Sequence, residues 1–346
     1  MTPADLSLTV LRAVRRAVGD GVLAVRDVPS RVVVERPRAG GRGDWATNAA
    51  LQLAGPAALP PRQVAEALRE RLLDAPGIER VDITGPGFLN FTLRPGTRVE
   101  TGRLLVRSIL ERGRRYGHGD ALGRLPGDEV RFPVPDGADL RLRTLTHCVV
   151  ALLRSQGAPA EAVDGRAAAR LTGSRPPTPR LHAVPPHYDV AAALPSDAAR
   201  WALLRPAPHD RVLDAAPLLR LTEAGGNTLF TVQYAYARSR ALLRNAAGLG
   251  FTGAYEEEAG APELLAALAD HPSVLLAAAR HRAPDRLARH LEAVADALLG
   301  FQHTVLPLGE EKPSAAHRSR LALAEAAGTV LAGGLSLLGV SAPDRL

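Results

Sequence analysis

Hydrophobic positions in the first third of the chain alternate between helical and strand spacing. Apolar residues in Leu6–Val18 recur every three or four positions, which predicts a helix, and Pro61–Leu73 reads as an amphipathic helix opened by a proline. Three short runs are typical of strands: Arg31–Glu35, Val81–Thr84 and Leu89–Leu93. This mixture over residues 1–122 predicts a small α/β module.

The pattern changes after residue 122. Residues 123–194 hold one clear helical segment, Leu140–Gln156, between clusters of proline and glycine. From Pro195 onward nearly every segment is rich in Ala, Leu and Arg at helical spacing, with breaks expected at Pro272 and other prolines and glycines. The sequence therefore predicts an α+β multidomain chain with a small α/β module (1–122), a short linker domain (123–194) and an all-α helical bundle (195–346).

The amino-acid composition limits the reaction mechanisms and the kinds of site that the chain can contain. The chain has 43 basic and 36 acidic residues, a net charge of +7 and only one lysine, Lys312, so it is arginine-rich. Mechanisms that need a Schiff-base or phosphate-loop lysine are nearly excluded. A single cysteine, Cys148, excludes disulfide frameworks and cysteine-based zinc sites, and fits a reducing compartment. The basic balance modestly favours a polyanionic partner.

No targeting, membrane or metal signal is recognised. Thr2–Asp5 carries an acid where a signal peptide would be basic. The uncharged stretch Ala326–Pro343 is at the lower limit for a membrane span, but it is rich in glycine and we interpret it as two short buried helical pieces. The histidines lack ligand spacing with carboxylates or cysteines. We expect a cytoplasmic protein with no membrane association, no bound metal and no cofactor.

Two long motifs resemble a known family. Gly43–Asn48 (GDWATN) followed by Gly85–Phe91 (GPGFLNF) looks like the N-terminal additional domain of arginyl-tRNA synthetases. Asn227–Arg238 (NTLFTVQYAYAR) resembles the NPxFYVQYAHAR helix of the same family. Ser196–Trp201 is similar to the stretch after that family's lysine-containing loop, and Arg320–Pro343 to the last helices of its DALR anticodon-binding domain. The resemblance implies that the helical bundle is of the anticodon-binding type.

The middle of the chain departs from the family pattern. The resemblance implies a doubly wound nucleotide-binding domain of about 100–150 residues, with an HxGH motif and a lysine-containing KMSKS-like loop. Asp136–Asp139 (DGAD) stands where HxGH belongs, and Leu181–Pro195 contains no lysine. Carboxylates facing a polyphosphate have the wrong sign of charge. Residues 123–194 are therefore predicted to be a vestigial, degenerate remnant of the catalytic region, and no catalytic residue is assigned.

The RNA-binding candidates come from the resemblance and from arginine and aromatic chemistry. Planar guanidinium and aromatic side chains stack on unpaired bases, and arginines pair with phosphates. Gln233, Tyr236 and Arg240 share one helical face by spacing. The complete set of predicted tRNA-binding residues is Asp44, Trp45, Asn48, Asn90, Arg112, Arg114, Arg115, Gln233, Tyr236, Arg238 and Arg240. For Asp44, Trp45 and Asn48 the alternative is a helix start, with Asp44 or Thr47 as cap and Trp45 partly buried. For Gly85–Gly87, next to Asn90, it is a structural turn, for Tyr234 it is core packing, and for the arginines it is a solvated helix face.

Three functional hypotheses follow. The first is a non-catalytic arginyl-tRNA synthetase-like protein, a pseudoenzyme, that binds tRNA with arginine tRNA as first candidate. It would contact the tRNA elbow through the N-terminal module and the anticodon arm through the bundle. The second is a protein-interaction or regulatory subunit that pairs with a synthetase or a metabolic enzyme. The third, residual arginine–tRNA ligase activity, is disfavoured because the two catalytic motifs are missing.

Overall fold

The computed structural model describes residues 3–29, 32–37, 42–123, 130–164, 180–221 and 226–346. These residues form two compact units, Met1–Leu104 and Leu105–Leu346. The first is α/β and the second is mostly helical, which confirms the predicted mixed α+β class with a helical C-terminal region.

The first unit is a four-stranded antiparallel sheet with helices packed on it. Its strands lie in the order β1-β2-β4-β3, with bounds β1 (Val34–Glu35), β2 (Trp45–Thr47), β3 (Ile78–Thr84) and β4 (Phe88–Leu93). Its helices are α1 (Pro3–Gly19), α2 (Ala49–Ala57), α3 (Pro61–Leu72) and the start of α4 (Pro95–Arg112). The predicted helices and the predicted strands Val81–Thr84 and Leu89–Leu93 are confirmed, and their apolar faces form one core. Of the predicted strand Arg31–Glu35, Val34–Glu35 is a strand and Arg31 lies outside the described residues, and β2 was not predicted.

Two glycines of the first unit allow close backbone contacts. A Cβ on Gly43 (φ +88°) would lie 2.6 Å from the carbonyl oxygen of Phe91, and one on Gly87 (φ +150°) would lie 2.9 Å from that of Pro61. Both positions therefore require glycine for space and for backbone conformation. The family-like motifs GDWATN and GPGFLNF thus pack against β4 and against the start of α3, respectively.

The second unit begins with the end of α4, continues with a β-α-β segment and then consists of helices. Strands β5 (Val130–Val134) and β6 (Ala160–Asp164) are parallel, with α5 (Leu140–Ser155) between them. The helices that follow are α6 (Val190–Ala193), α7 (Ser196–Leu204), α8 (Ala215–Leu218), α9 (Thr228–Gly248), α10 (Pro262–His281), α11 (Pro284–Phe301) and α12 (Ala315–Leu338). Short 3₁₀ turns lie at Gly113–Arg115 and Gln302–Thr304. The helix over Leu140–Gln156 was predicted, whereas the two strands were not.

A buried arginine joins α5 to the loops of the C-terminal helices. Arg141 is 1% exposed, and its guanidinium donates to the carbonyl oxygens of Leu203, Val184, Asp210 and Ala207. Burial lowers the pKa of Arg141, and its four acceptors compensate for the loss of water. Residues of α5 and of α7 to α12 share one hydrophobic core. The described part of 123–194 therefore packs together with the helical region, although its descent from a catalytic domain stays a prediction.

Two sequence predictions about helix continuity are wrong. Pro272 lies inside α10 and does not end it. Residues 326–338 belong to the single helix α12 and not to two short pieces. The glycines of α12 provide space: a Cβ on Gly328 would overlap Ser239 of α9, and one on Gly334 would lie 2.5 Å from Leu291 of α11. They permit close helix packing and do not break the helix.

Helix α12 is long and apolar enough to cross a membrane by length and composition alone. However, 78% of its most apolar window is buried inside the protein. Its N-terminus is closed by a capping box in which Ser314 and His317 exchange hydrogen bonds. Its C-terminus turns at Gly339 (φ +70°) in the left-handed conformation. Such extensive burial is typical of a helix in a protein core.

Candidate nucleic-acid interface

In the first unit, Asp44 holds the backbone of β4 and the start of α4. Its carboxylate accepts a hydrogen bond from the Leu93 amide at 2.7 Å and pairs with Arg98 at 3.3 Å. It does not cap a helix, which was the alternative interpretation. Because Asp44 already holds two donors within its own unit, its position favours a structural role over contact with RNA.

The neighbouring candidates of the first unit are also largely packed. Trp45 is 8% exposed, and the guanidinium of Arg36 lies over its ring, 5.0 Å from the ring centroid. Asn90 is 4% exposed and donates to the Thr84 hydroxyl at 2.7 Å. Asn48 precedes α2, makes no side-chain cap hydrogen bond and is half-buried. Asn48 is thus partly exposed, whereas Trp45 and Asn90 are buried and Asp44 is engaged by Leu93 and Arg98. A contact of any of them with RNA stays a prediction.

In the second unit, three predicted side chains lie on one side of α9. Gln233, Tyr236 and Arg240 follow one another at helical spacing, as the sequence indicated. Gln233 donates to the Asp197 carboxylate and to the Ser341 carbonyl oxygen, both at 3.1 Å. The ring of Tyr236 is buried. The structure therefore brings these three candidates together and connects them to the C-terminal residues.

The connection is made by Asp344. Its carboxylate accepts a hydrogen bond from the Tyr236 hydroxyl at 2.7 Å and lies 3.6 Å from Nε of Arg240. Nη2 of Arg244, one turn further along α9, lies 3.5 Å from the Asp344 carbonyl oxygen. Burial raises the pKa of Tyr236, and the hydrogen bond and charge of Asp344 raise it further. The hydroxyl therefore stays protonated and donates.

Arg114 belongs to the same surface. The positive charges of Arg114 and Arg240 both lower the pKa of Tyr236. Both guanidinium groups are therefore near the phenol. Arg112, Arg114 and Arg115 are all exposed at the end of α4 and in the 3₁₀ turn that follows. No local sequence pattern links Arg112–Arg115 with α9. We call Arg114, Gln233, Tyr236, Arg240 and Arg244 the α9 face.

Arg238 is also a predicted candidate on α9, but it does not belong to the α9 face. Its Nε donates to the side-chain oxygen of Gln302, in the 3₁₀ turn after α11. Arg238 follows Tyr236 by two positions, which is a rotation of about 200° around a helix. The two side chains therefore lie on opposite sides of α9. The neighbouring Tyr234 stacks on Phe230 at a ring-centroid distance of 5.7 Å. Arg238 and Tyr234 are therefore not part of the α9 face.

Sequence reasoning missed several residues of this surface. Arg244 follows Arg240 by four positions, so the helical repeat could have identified it. Asp197 and Ser341 could not be found in this way, because they are 144 residues apart and their hydrogen bond depends on the tertiary fold. Asp344 could not be found in this way either, because its partner Tyr236 lies 108 residues away.

The β-α-β segment contains Asp136–Asp139, the stretch that the sequence analysis compared with the HxGH motif. Asp139 is the N-cap of α5, and its carboxylate accepts a hydrogen bond from the Leu142 amide at 2.9 Å. In parallel α/β sheets, phosphates bind at helix N-termini beyond the carboxyl ends of strands. Here that helix terminus is already neutralised by a carboxylate. Leu181–Pro195 contributes no lysine.

Three histidines of the second unit form a separate cluster, in which His271 is buried and His118 and His290 are half-buried. The ring of His271 lies 5.2 Å from that of His290 and stacks on Tyr116 at 5.9 Å. Burial, with the neighbouring His290 and His118, lowers the pKa of His271 to about 3, and burial lowers that of His290 to about 4. Both are neutral at pH 7. No group of three or more metal-ligating side chains with suitable geometry occurs among the described residues.

Comparisons with known proteins agree with these two units. Residues 8–93 match the family model for the arginyl tRNA synthetase N terminal domain, and residues 232–346 match that for the DALR anticodon binding domain. The arginine–tRNA ligase of Frankia alni is 29% identical over an alignment of 559 residues that spans 100% of both chains. That of Micrococcus luteus is 41% identical over 167 residues, covering 46% of this chain and 29% of the other.

Two solved structures share the fold. Arginyl-tRNA synthetase from Thermus thermophilus is 15% identical with a TM-score of 0.63 and covers 100% of both chains. The enzyme from Plasmodium falciparum is 8% identical with a TM-score of 0.66 over 99% of both. The α/β unit and the helical unit thus define a chain with an arginyl-type N-terminal domain and an anticodon-binding domain. Residues 8–93 and 232–346 are thus similar to the N-terminal domain and the anticodon-binding domain of arginyl-tRNA synthetases.

Proposed function

We propose that this chain binds tRNA, with arginine tRNA as the first candidate, and does not aminoacylate it. The observation that carries the proposal is the α9 face, in which Gln233, Tyr236, Arg240 and Arg244 belong to the residues that match the anticodon-binding family and Arg114 adds a third arginine. Anticodon loops present unpaired bases and closely spaced phosphates. Exposed guanidinium groups are suited to both, and the Tyr236 hydroxyl and the Gln233 amide add hydrogen-bonding groups beside them.

Affinity at this face comes mainly from phosphate contacts. Arg114 and Arg244 are exposed, and the side chain of Arg240 is 43% exposed, so all three are reachable by a backbone phosphate. Neutralising phosphates releases counterions, so binding weakens steeply as salt is raised. The neighbouring Arg112 and Arg115 extend the positive surface along the chain. In the first unit, Asn48 is the residue we propose for contact with the tRNA elbow.

Loss of catalysis is the second part of the proposal. Asp139 caps α5 where an HxGH-type motif would face ATP, and its negative charge opposes polyphosphate binding. The chain has 346 residues, whereas its alignment with the Frankia alni ligase is 559 residues long, so this chain is absent from long stretches of it. This difference supports a reduced catalytic region. We also propose a cytoplasmic location, with which the single free Cys148 is compatible.

A protein-interaction subunit is the second candidate. The observation that favours it is the contact of Ser341 and Asp344 with Gln233, Tyr236 and Arg240, since these contacts use hydrogen-bonding groups that RNA would need. In that case the α9 face serves internal structure, and a synthetase or metabolic enzyme is bound elsewhere on the chain.

Binding of the purified chain to total tRNA, at two salt concentrations and with sequencing of the retained RNA, distinguishes the candidates. We expect enrichment of arginine tRNAs, with retention lost at the higher salt. Retention of no tRNA at low salt, with a co-purified protein instead, would reject the RNA proposal in favour of the second candidate.

A further inference from the structure

The last residues of the chain are fastened to the α9 face at two points. The Ser341 amide donates to the Asp197 carboxylate at 3.2 Å, and the Ser341 carbonyl oxygen accepts from Gln233. Three residues later, Asp344 accepts from Tyr236 and pairs with Arg240. We call residues 341–344 the tail. Its course follows from the left-handed turn at Gly339, where a Cβ would lie 2.8 Å from the Arg200 guanidinium.

The Asp344 carboxylate uses the donors that suit a phosphodiester. It carries one negative charge on two oxygens and meets a phenol hydroxyl and a guanidinium, with a second guanidinium at its backbone carbonyl. A backbone phosphate of RNA also presents one negative charge on two unesterified oxygens. Tyr236, Arg240 and Arg244 can therefore hold either anion, but not both in the same place.

The tail is held weakly enough to be displaced. The side chain of Asp344 is 58% exposed and that of Arg240 is 43% exposed, and ion pairs at such exposure contribute little to stability. The tail nevertheless has an advantage over free ligands, because its attachment to α12 keeps its local concentration high. An exposed, tethered carboxylate at a cationic site has the properties of a competitor.

We propose that Asp344 competes, within the chain, with an RNA phosphate for the α9 face. This inference rests on the proposed function. In the free chain the carboxylate occupies the site of Tyr236, Arg240 and Arg244. In the complex, a phosphodiester replaces the carboxylate and the tail leaves the face. The tail thereby sets the affinity for RNA and disfavours weak polyanions that cannot displace it.

The experiment compares tRNA affinities of full-length variants. Asp344→Asn removes the competing charge, and we expect it to bind tRNA about two- to fivefold more tightly than the unmodified chain, the range expected for an exposed ion pair. Glu310→Gln makes the same change of net charge in an exposed loop and controls for the general effect of charge. We expect a smaller gain for Glu310→Gln. The Asp344→Asn gain should also shrink in an Arg240→Gln background, because the partner is missing.

Each outcome decides between the two proposals. A tighter Asp344→Asn variant, exceeding the Glu310→Gln control and dependent on Arg240, supports competition. If the unmodified chain binds tRNA and Asp344→Asn binds equally or more weakly, the competition is rejected and the proposed function stands. If neither Asp344→Asn nor the unmodified chain binds tRNA, the proposed function fails and the inference fails with it.

Discussion

Gly333 of α12 lies directly against the backbone of Arg114. A Cβ at position 333 would be 2.7 Å from the Arg114 carbonyl oxygen, closer than side-chain carbons approach a backbone. Because glycine has no side chain, the 3₁₀ turn Gly113–Arg115 can pack directly against α12. Through this contact, Arg114 reaches the vicinity of Tyr236 on α9, and two segments more than 100 residues apart contribute to one surface.

Gly333→Ala tests this contact. The added methyl group has to push the Arg114 backbone away, and we expect a loss of about 1–3 kcal/mol in the free energy of unfolding, typical of overpacking. Gly300→Ala is the matched control, since Gly300 lies in α11 and a Cβ there meets nothing within 4 Å. In that helix alanine should stabilise by up to about 1 kcal/mol. Equal effects of the two substitutions in denaturant titrations would contradict the assigned contact.

Asp139 provides a test of the region that we propose to be a remnant of the catalytic domain. Removing the cap with Asp139→Ala should lower the free energy of unfolding by about 1 kcal/mol. Asp139→Asn keeps an oxygen acceptor and should cost little. The measurement is chemical denaturation of both variants. Similar losses for alanine and asparagine would show that the carboxylate does more than cap α5.

Catalytic inactivity is tested by arginine-dependent exchange of pyrophosphate into ATP. We expect no exchange above background, with or without added tRNA, because a carboxylate stands at the helix terminus where ATP phosphates would bind. An active arginyl-tRNA synthetase assayed in parallel provides the positive control. Exchange that depends on arginine and grows with protein concentration would overturn the non-catalytic proposal.

The histidine cluster makes stability depend on pH. The pKa values of His271 and His290 are lowered to about 3 and about 4 in the folded chain, whereas unfolded histidine titrates near 6.5. The unfolded chain therefore binds more protons between these values, so their stabilising contribution is complete above about pH 6.5 and declines as pH falls toward 4. The slope for each histidine approaches about 1.4 kcal/mol per pH unit.

Variants separate this effect from general acid unfolding. Tyr116, His118, Asp270 and Arg115 are the other titratable or charged groups that act on the cluster. His271→Leu should flatten the dependence of the unfolding free energy on pH between 6.5 and 4, whatever its effect at pH 7. His147→Gln, at an exposed position of α5, is the control. An unchanged slope in His271→Leu would exclude the cluster as the cause.

The sequence predicted local features well and long-range ones poorly. The grouping of Gln233, Tyr236 and Arg240 follows from helix periodicity alone, and the structure confirms it. Arg238 shared their motif but not their face, which the same periodicity could have shown. The pairing of Tyr236 with Asp344 spans 108 residues and depends on the turn at Gly339, so no local pattern could indicate it.

Glycine and proline caused the errors within the helical unit. Gly328, Gly333 and Gly334 resemble helix breaks in sequence, yet in α12 they provide space for neighbouring helices and for the Arg114 backbone. Strand β5 was missed because Pro133 lies within it, and proline is disfavoured inside sheets. Burial also decides the roles of Trp45 and Asn90, and burial depends on tertiary packing that their motif does not reveal.

The salt dependence of arginine tRNA binding tests the central claim most directly. Dissociation constants would be measured over a range of salt for the unmodified chain, Arg240→Gln and Arg238→Gln, which remove one charge each from the same helix. The account predicts steep weakening with salt, a slope reduced by about one for Arg240→Gln, and little change for Arg238→Gln. Absence of binding at low salt, or equal effects of the two substitutions, would contradict an RNA-binding α9 face.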